Sequence, residues 1–470
     1  MIDKRQHGSI GIAGGGIAGL AAACALAEAG FEVTVFERRP FVGGRASSYE
    51  HPGTGEVVDN CQHVLLGCCT NLLDFYRRIG SSDKIRWFNH LTFVEPGGRR
   101  SEIVASFLPA PLHTSPSFLK SSSLSLVDKF AIARAMLALM GPLPADSSKS
   151  FAEWLQEHQQ TPRAIDRFWK VVLVSAINED LDRISAHYGA QVFRESFLKS
   201  AEAGRMGIPT VPLSELYSSA ISYIEKRGGR VHLRTSVDAV HPEMQDVVLQ
   251  CGGTSARFDF AVLAVPHQLL GKLLPSSNGT AEASAILRAK LQRLESSPIT
   301  GIHLWFDREI TDVPHAVLLD RTIQWIFQKS KLQPSRQEEQ QGSYVELVVS
   351  SSKSLVEMGR QAIIDLAVRE LIEFFPSVRD AKLLKATVIK EVHATYSALP
   401  GSDLYRPESR SPWSRVFLAG DWTATGWPAT MEGAVRSGYK AAEAVTAEAG
   451  KAQTMLVPDL PATGLMRLLA

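Results

Sequence analysis

Apolar and polar positions along this chain repeat with two periods, and the change from one to the other marks its elements. Near the start, the run Ile10 to Ala13 meets Gly14, Gly16 and Gly19, an alanine-rich segment follows to Gly30, and a second run, Val33 to Phe36, stops at Glu37. That order predicts strand, tight turn, helix, strand. Helical spacing returns over Asn71 to Ile79, and strand-like segments between Arg86 and Ser106 flank a turn at Pro96 to Gly98. The Ser- and Pro-rich stretch Leu108 to Ser123 predicts a loop, and Leu126 to Met140 predicts an apolar helix. Phe151 to Leu155 and Arg163 to Leu173 continue a helical region that ends at Asn178 to Tyr188 on a charged, solvated face. Beyond it come a helix at Leu213 to Arg227, strands at Arg230 to Leu233 and Val237 to Val240, and a buried strand at Phe258 to Pro266. Thr300 to Phe306, Gln324 to Phe327 and Tyr344 to Val349 read as strands, Glu339 to Gln341 as a polar, mobile loop, and Ser354 to Phe375 as a long helix. Arg415 to Asp421 closes the pattern as a short buried strand. Strands and helices in this order predict an α/β chain.

The first unit carries chemistry. Gly14 permits the tight turn, Gly16 lets a pyrophosphate approach the backbone, and Gly19 lets the helix lie close on the sheet, with Ile17 and Ala18 opening that helix. Free N–H groups and the dipole at the helix start attract phosphate. Glu37, at the end of the second strand, is placed to accept hydrogen bonds from both ribose hydroxyls. Arg38 leads to Gly43, Gly44 and Arg45, a turn able to bring a backbone amide and a guanidinium to the same diphosphate. Further on, Asp59, Asn60, Gln62 and His63 sit between two apolar runs. They read either as a hydrogen-bonded turn bracing the nucleotide domain or as a wall of a reaction chamber.

Composition narrows the class. A chain of 470 residues, 45% hydrophobic and 21% charged, is long enough for two or three cores. A net charge of +1 argues against nucleic acid as the main partner. Five cysteines, odd in number and without paired ligand spacing, point to a reduced, cytosolic setting with no metal site. Every apolar run is too short to span a membrane. The helix at Leu126 to Met140 reads as lid packing, or as a surface that dips into lipid where a greasy substrate enters, peripheral on the inner face of a membrane. The tail from Met455 to Ala470 reads as docked rather than anchored.

The glycine motif with Glu37 at one end, and RVFLAGD (Arg415 to Asp421) with GWPATMEGAVRSG at the other, resemble the two FAD fingerprints of the flavoprotein superfamily that contains amine oxidases and phytoene desaturases. The resemblance implies FAD, a Rossmann-like FAD-binding domain built from discontinuous segments, and a substrate domain with a mixed sheet and a helical insert. The FAD-binding segments would be residues 1–80, 208–270 and 406–450. A helical lid (81–207) and a sheet (271–405) would form the substrate domain, with a tail at 451–470. By the same resemblance Gly420 and Asp421 hold the ribityl and pyrophosphate region, the helix from Met431 points at the flavin ring, and the backbone near Val237 meets adenine.

More narrowly, DNCQHVLLGC (Asp59 to Cys68), RFW (Arg167 to Trp169), SAIN (Ser175 to Asn178), IHLWFD (Ile302 to Asp307) and QWIFQK (Gln324 to Lys329) resemble the squalene-associated FAD-dependent desaturases. These act as hydroxysqualene dehydroxylases in bacterial hopanoid synthesis. The resemblance implies a C30 polyprenyl lipid substrate losing an allylic hydroxyl as reduced flavin delivers hydride. His63 or Asp59 would donate a proton to the departing hydroxyl, Gln62 and Asn60 would position it, and Trp169, Trp325 and Trp427 would stabilise positive charge. With one dinucleotide fingerprint, the reducing equivalents come from an external electron donor. A phytoene desaturase-like activity, an amine oxidase and a non-catalytic prenyl-lipid-binding protein are the alternatives.

Overall fold

In a computed structural model, residues 8–145, 149–276, 279–333 and 342–468 are described. Five strands form a parallel sheet in the order Arg230–His232, Glu32–Phe36, Ser9–Ala13, Phe260–Leu263, Val416–Leu418. Its inner strands are nearly continuous apolar runs because both faces are covered. On one face lie the helices Ile17–Glu28 and Met431–Glu448, packed so closely that a Cβ on Gly438 would stand 2.3 Å from the Ala18 carbonyl oxygen. On the other lies a three-stranded antiparallel sheet (Val237–Pro242, Val247–Cys251, Thr254–Phe258).

A second, seven-stranded sheet runs Leu383–Tyr396, Ser296–Phe306, Ser343–Ser350, Trp325–Gln328, His315–Leu318, His90–Val94, Arg100–Val104. It is mixed, with one parallel pairing, between His315–Leu318 and His90–Val94. Alternation sorts its side chains: Ile302, Leu304, Ile326, Val345 and Leu347 face the helix Arg360–Phe374, whereas Phe327 and Val348 face the other way. Helices from 115 to 198 cover the remaining side around a cluster of Phe151, Trp154, Trp169 and Phe193. No helix among the described residues is long and apolar enough to cross a membrane.

Several elements differ from the sequence reading. The stretch Leu108 to Ser123 contains a helix, Ser115–Lys120, started by proline in its first turn. The segment 81–207 is not purely a helical lid, since it also gives two strands to the large sheet. Asn178 to Tyr188 is not a solvated face: Asn178 ends its helix in the left-handed region, and Glu179 is buried and paired with Lys353. The long helix starts at Arg360, with Gly359 as its N-cap, and not at Ser354. A π turn, Ile165–Trp169, interrupts the predicted helix from Arg163. Glu339 to Gln341 lies outside the described residues. The tail lies along the protein, with the amides of Met455 and Leu456 donating to Glu443 and that of Val457 to Asn71.

Candidate functional site

The turn after the first strand is built from contacts that only glycine allows. Gly14 has φ +107° and a Cβ there would lie 2.4 Å from the Ala264 carbonyl oxygen; one on Gly19 would lie 2.0 Å from the Gly14 oxygen. Gly16 and Gly44 face each other: Gly43 donates its amide to the Gly15 carbonyl at 2.8 Å, and a Cβ on Gly44 would come within 3.0 Å of the Gly16 Cα. The helix Ile17–Glu28 begins at Gly16 with no side-chain cap, leaving its first N–H groups for a ligand. Glu37 is buried, and its carboxylate accepts from the amides of Gly15 and Arg39, each at 2.8 Å. That fixes it beside the turn, and each oxygen keeps a second lone pair for a ribose hydroxyl.

One cavity of about 630 Å³ joins these groups to residues from the rest of the chain. Gly14, Gly16, Ile17, Ala18, Glu37, Arg38, Gly44, Arg45, Val237, Gly420, Asp421 and Met431 all line it, whereas Gly19 does not and packs instead against the Gly14 carbonyl and Ala264. Arg45 crosses it to the Ala394 carbonyl at 2.7 Å and to Asp421 Oδ1 at 2.6 Å. Gly420 donates its amide to Ser437 Oγ at 2.8 Å, and Met431 opens the helix Met431–Glu448 behind the N-cap Thr430. A glycine-walled turn, uncapped N–H groups, a carboxylate beside them and a continuous groove are what an FAD needs, and the residues present fit that cofactor.

The far end of the cavity is lined by Gln62 and His63 on one side, Ser175 and Asn178 on another, and Ile299, Trp325, Phe327 and Val348 as a floor. His63 bonds through Nδ1 to the Cys61 carbonyl at 2.7 Å. A carbonyl only accepts, so Nδ1 carries the proton, and Nε2 keeps a lone pair with no hydrogen-bond partner among the described residues. Burial lowers the pKa of the ring, outweighing the hydrogen bond to Cys61, so the imidazole is neutral near pH 7. Gln62 donates to the His63 carbonyl at 3.0 Å and accepts from Lys329 Nζ at 2.8 Å. Asn60 donates to the Arg45 carbonyl and to Glu391.

Asp59 does not belong to this wall. It lies behind the cavity, accepting from Ser48 Oγ and the Leu213 amide and pairing with Lys329 Nζ at 2.5 Å. Burial works to raise its pKa, but Lys329 and these hydrogen bonds hold it down to about 2. It has no proton to give near neutrality, which corrects its expected role as donor. Of the three tryptophans, Trp325 lines the cavity and donates Nε1–H to Ser175 Oγ at 2.7 Å. Trp169 is fully buried in the helical core on Gln160, and Trp427 stacks under Arg436.

The sequence reading missed Lys329 and Glu346. Lys329 is 1% exposed and has Asp59 on one side and Glu346 Oε2, at 3.4 Å, on the other. Burial pushes Glu346 up to about 7 against the pull of that ammonium. Glu346 had a visible signal, as the one acid in the apolar run Tyr344 to Val349.

The family model described as flavin containing amine oxidoreductase matches residues 17–446. Among curated proteins, the 15-cis-phytoene desaturase of Synechococcus elongatus is 27% identical over 94% of this chain and 97% of its own length. The zeta-carotene desaturase of a Synechocystis strain is 26% identical over 95% and 99%. Among solved structures, an oxidoreductase from Methanosarcina mazei superposes with a TM-score of 0.72 at 18% identity, covering 92% of this chain and 98% of that one. A putrescine oxidase superposes with 0.70 at 16%, covering 94% and 99%. At these identities the two structures establish the fold.

Proposed function

The chain belongs to the flavin containing amine oxidoreductase family and its cofactor is FAD, and from that premise we propose that it moves hydride between FAD and one carbon of a long polyprenyl chain, in the manner of a carotenoid desaturase. The observation that carries this reading is the single cavity whose one end is the glycine-walled turn and whose other is floored by Ile299, Trp325, Phe327 and Val348. Relatives named for phytoene and zeta-carotene support both the hydrocarbon class and the oxidative direction.

FAD supplies the two-electron acceptor. The chain's own residues bind, orient and exclude water. Removing two hydrogens from adjacent carbons gives one hydride and one proton. Neutral His63, with its Nε2 lone pair, is the group at the apolar end suited to take that proton. Trp325, fixed by Ser175, offers a π face to positive charge developing on the chain. Electrons leave to an external acceptor, because the chain carries one dinucleotide fingerprint.

A second reading is favoured by the QWIFQK and DNCQHVLLGC segments and by Gln62 and Asn178 at the same end, polar groups for which a hydrocarbon has no use. It is the reverse flow: reductive dehydroxylation of hydroxysqualene to squalene in hopanoid biosynthesis, with water leaving and an external donor supplying electrons. One anaerobic experiment tests both. Oxidised protein is offered phytoene and reduced protein is offered hydroxysqualene, and the extracted lipid is examined. A new conjugated chromophore supports the first reading and squalene the second; neither product overturns the polyprenyl assignment.

A further inference from the structure

We propose that the face formed by residues 104–120, the helix Leu126–Ala138 and the C-terminal turn Gly464–Leu468 is a docking surface for an anionic lipid bilayer. It rests on the polyprenyl reading of the cavity for its purpose, and on four observations for its existence.

The first is the helix itself. Leu126, Phe130, Ala133 and Leu137 fall on one stripe at helical spacing and are exposed, Phe130 to 74%. Ile132, Ala135 and Leu139 on the opposite stripe are buried in the helical core. A helix apolar on both faces belongs inside a protein or against lipid, and here none of the described residues covers one face.

Second, two other segments joined to this helix carry exposed apolar side chains. Phe107 is 97% exposed and Leu468 83%, with Leu112, Leu119 and Leu465 also exposed. The segments are tied together: Lys129 Nζ donates to the carbonyls of Leu119 and Ser121, each at 2.7 Å, and the Leu465 amide donates to the Ala110 carbonyl at 2.8 Å. Isolated exposed leucines are ordinary, whereas a joined apolar face of this kind marks a contact surface.

Third, the charges on this face have one sign. From Ile103 to Met140 the sole acid is Asp128, which is buried and accepts from Ser125 and Thr161. The exposed charged side chains are Lys120, Arg134 and, in the turn, Arg467. In a chain with 50 basic and 49 acidic residues such segregation is local. It disfavours a second copy as the occupant, because a two-fold dimer would set these cations against themselves, and it favours a surface rich in phosphate.

Fourth, the helix is tied to a helical rod that also lines the cavity. Thr161 Oγ1 and Gln160 Nε2 donate to Asp128 and the Ala131 carbonyl, fixing it to the helical rod that continues to Ile177. Ser175 and Ala176 on that rod line the cavity.

The test is flotation of the FAD-loaded full chain with phosphatidylcholine vesicles, with and without phosphatidylglycerol. The wild type is expected to float with the mixed vesicles and about tenfold less with phosphatidylcholine alone. A Phe107→Ser/Phe130→Ser/Leu468→Ser triple variant is expected to lose about tenfold or more of vesicle binding with its flavin absorbance and melting temperature unchanged. A Lys120→Glu/Arg134→Glu variant should lose the preference for phosphatidylglycerol alone. A wild type that floats with neither vesicle overturns the proposal. So does a dimer seen by sedimentation that Phe130→Ser abolishes while vesicle binding stays absent. Turnover of detergent-dispersed lipid separates the two claims: vesicle failure with turnover intact sinks only this surface, and vesicle binding without turnover sinks only the assigned chemistry.

Discussion

Lys329 is a cation with almost no access to water, and its cost is met by Asp59 at 2.5 Å, Glu346 at 3.4 Å and Gln62 Oε1 at 2.8 Å. Replacing it by Met leaves Asp59 buried and unpaired, and is expected to cost about 3–5 kcal/mol in chemical unfolding. Glu346 gives a pH signature of known sign. Unfolded, its carboxyl releases a proton near 4.5; folded, it keeps it up to about 7. Its contribution to stability is therefore complete below pH 4.5 and is lost as pH rises through 7. Glu346→Gln cannot ionise, so at pH 8 it should be more stable than the wild type by about 1–3 kcal/mol, with the gap narrowing toward pH 5. Equal gaps at both pH values would count against that assignment. His63→Ala is expected to slow flavin reduction by substrate about 100-fold while leaving FAD bound, measured by anaerobic stopped flow. At this scale the sequence exposed Asp59, Gln62 and His63 as polar residues between apolar runs. It could not separate the cavity wall from the anchor behind it, because the partner that decides the matter stands 270 positions away.

Elements were more legible than residues because their signals are local. The glycine spacing with Glu37 predicted strand, turn and helix to within a residue or so, and the apolar run Tyr344 to Val349 predicted a strand that the structure extends to Ser343–Ser350. The reading failed where tertiary partners decide. Asn178 and Glu179 look solvated in sequence, yet they are buried against Ser297, Ser351 and Lys353. The helix Thr70–Ile79 shows a similar dependence, since its N-cap Cys69 offers its first amides no side-chain acceptor. Its first amides, from Asn71 and Leu72, donate to Glu432 of the late helix. Glu432→Ala is expected to cost about 2–4 kcal/mol, and Glu432→Gln, which keeps an acceptor, less. At Gly19 a Cβ would collide with the Gly14 carbonyl. Gly19→Ala should therefore yield protein with little flavin absorbance, whereas a bound yellow cofactor at wild-type occupancy would refute the account of the turn.

Across the whole molecule, the parallel sheet takes strands from the beginning, middle and end of the chain, and the cavity takes its walls the same way. That plan was visible in outline, because motifs at both ends point to one cofactor; the course of the substrate sheet, with two early strands at its edge, was not. The join between the ends is Arg45 with Asp421. It has a consequence for synthesis. A ribosome delivers Val416–Leu418 and Asp421 only after the other four strands of the parallel sheet have emerged, so the nascent polypeptide cannot close on its dinucleotide until then. Until that moment Phe260–Leu263 is an unpaired border of the sheet, open to wrong partners. Vitamin supply and translation thus meet at the same late step, and a chain stalled upstream of it keeps that border open.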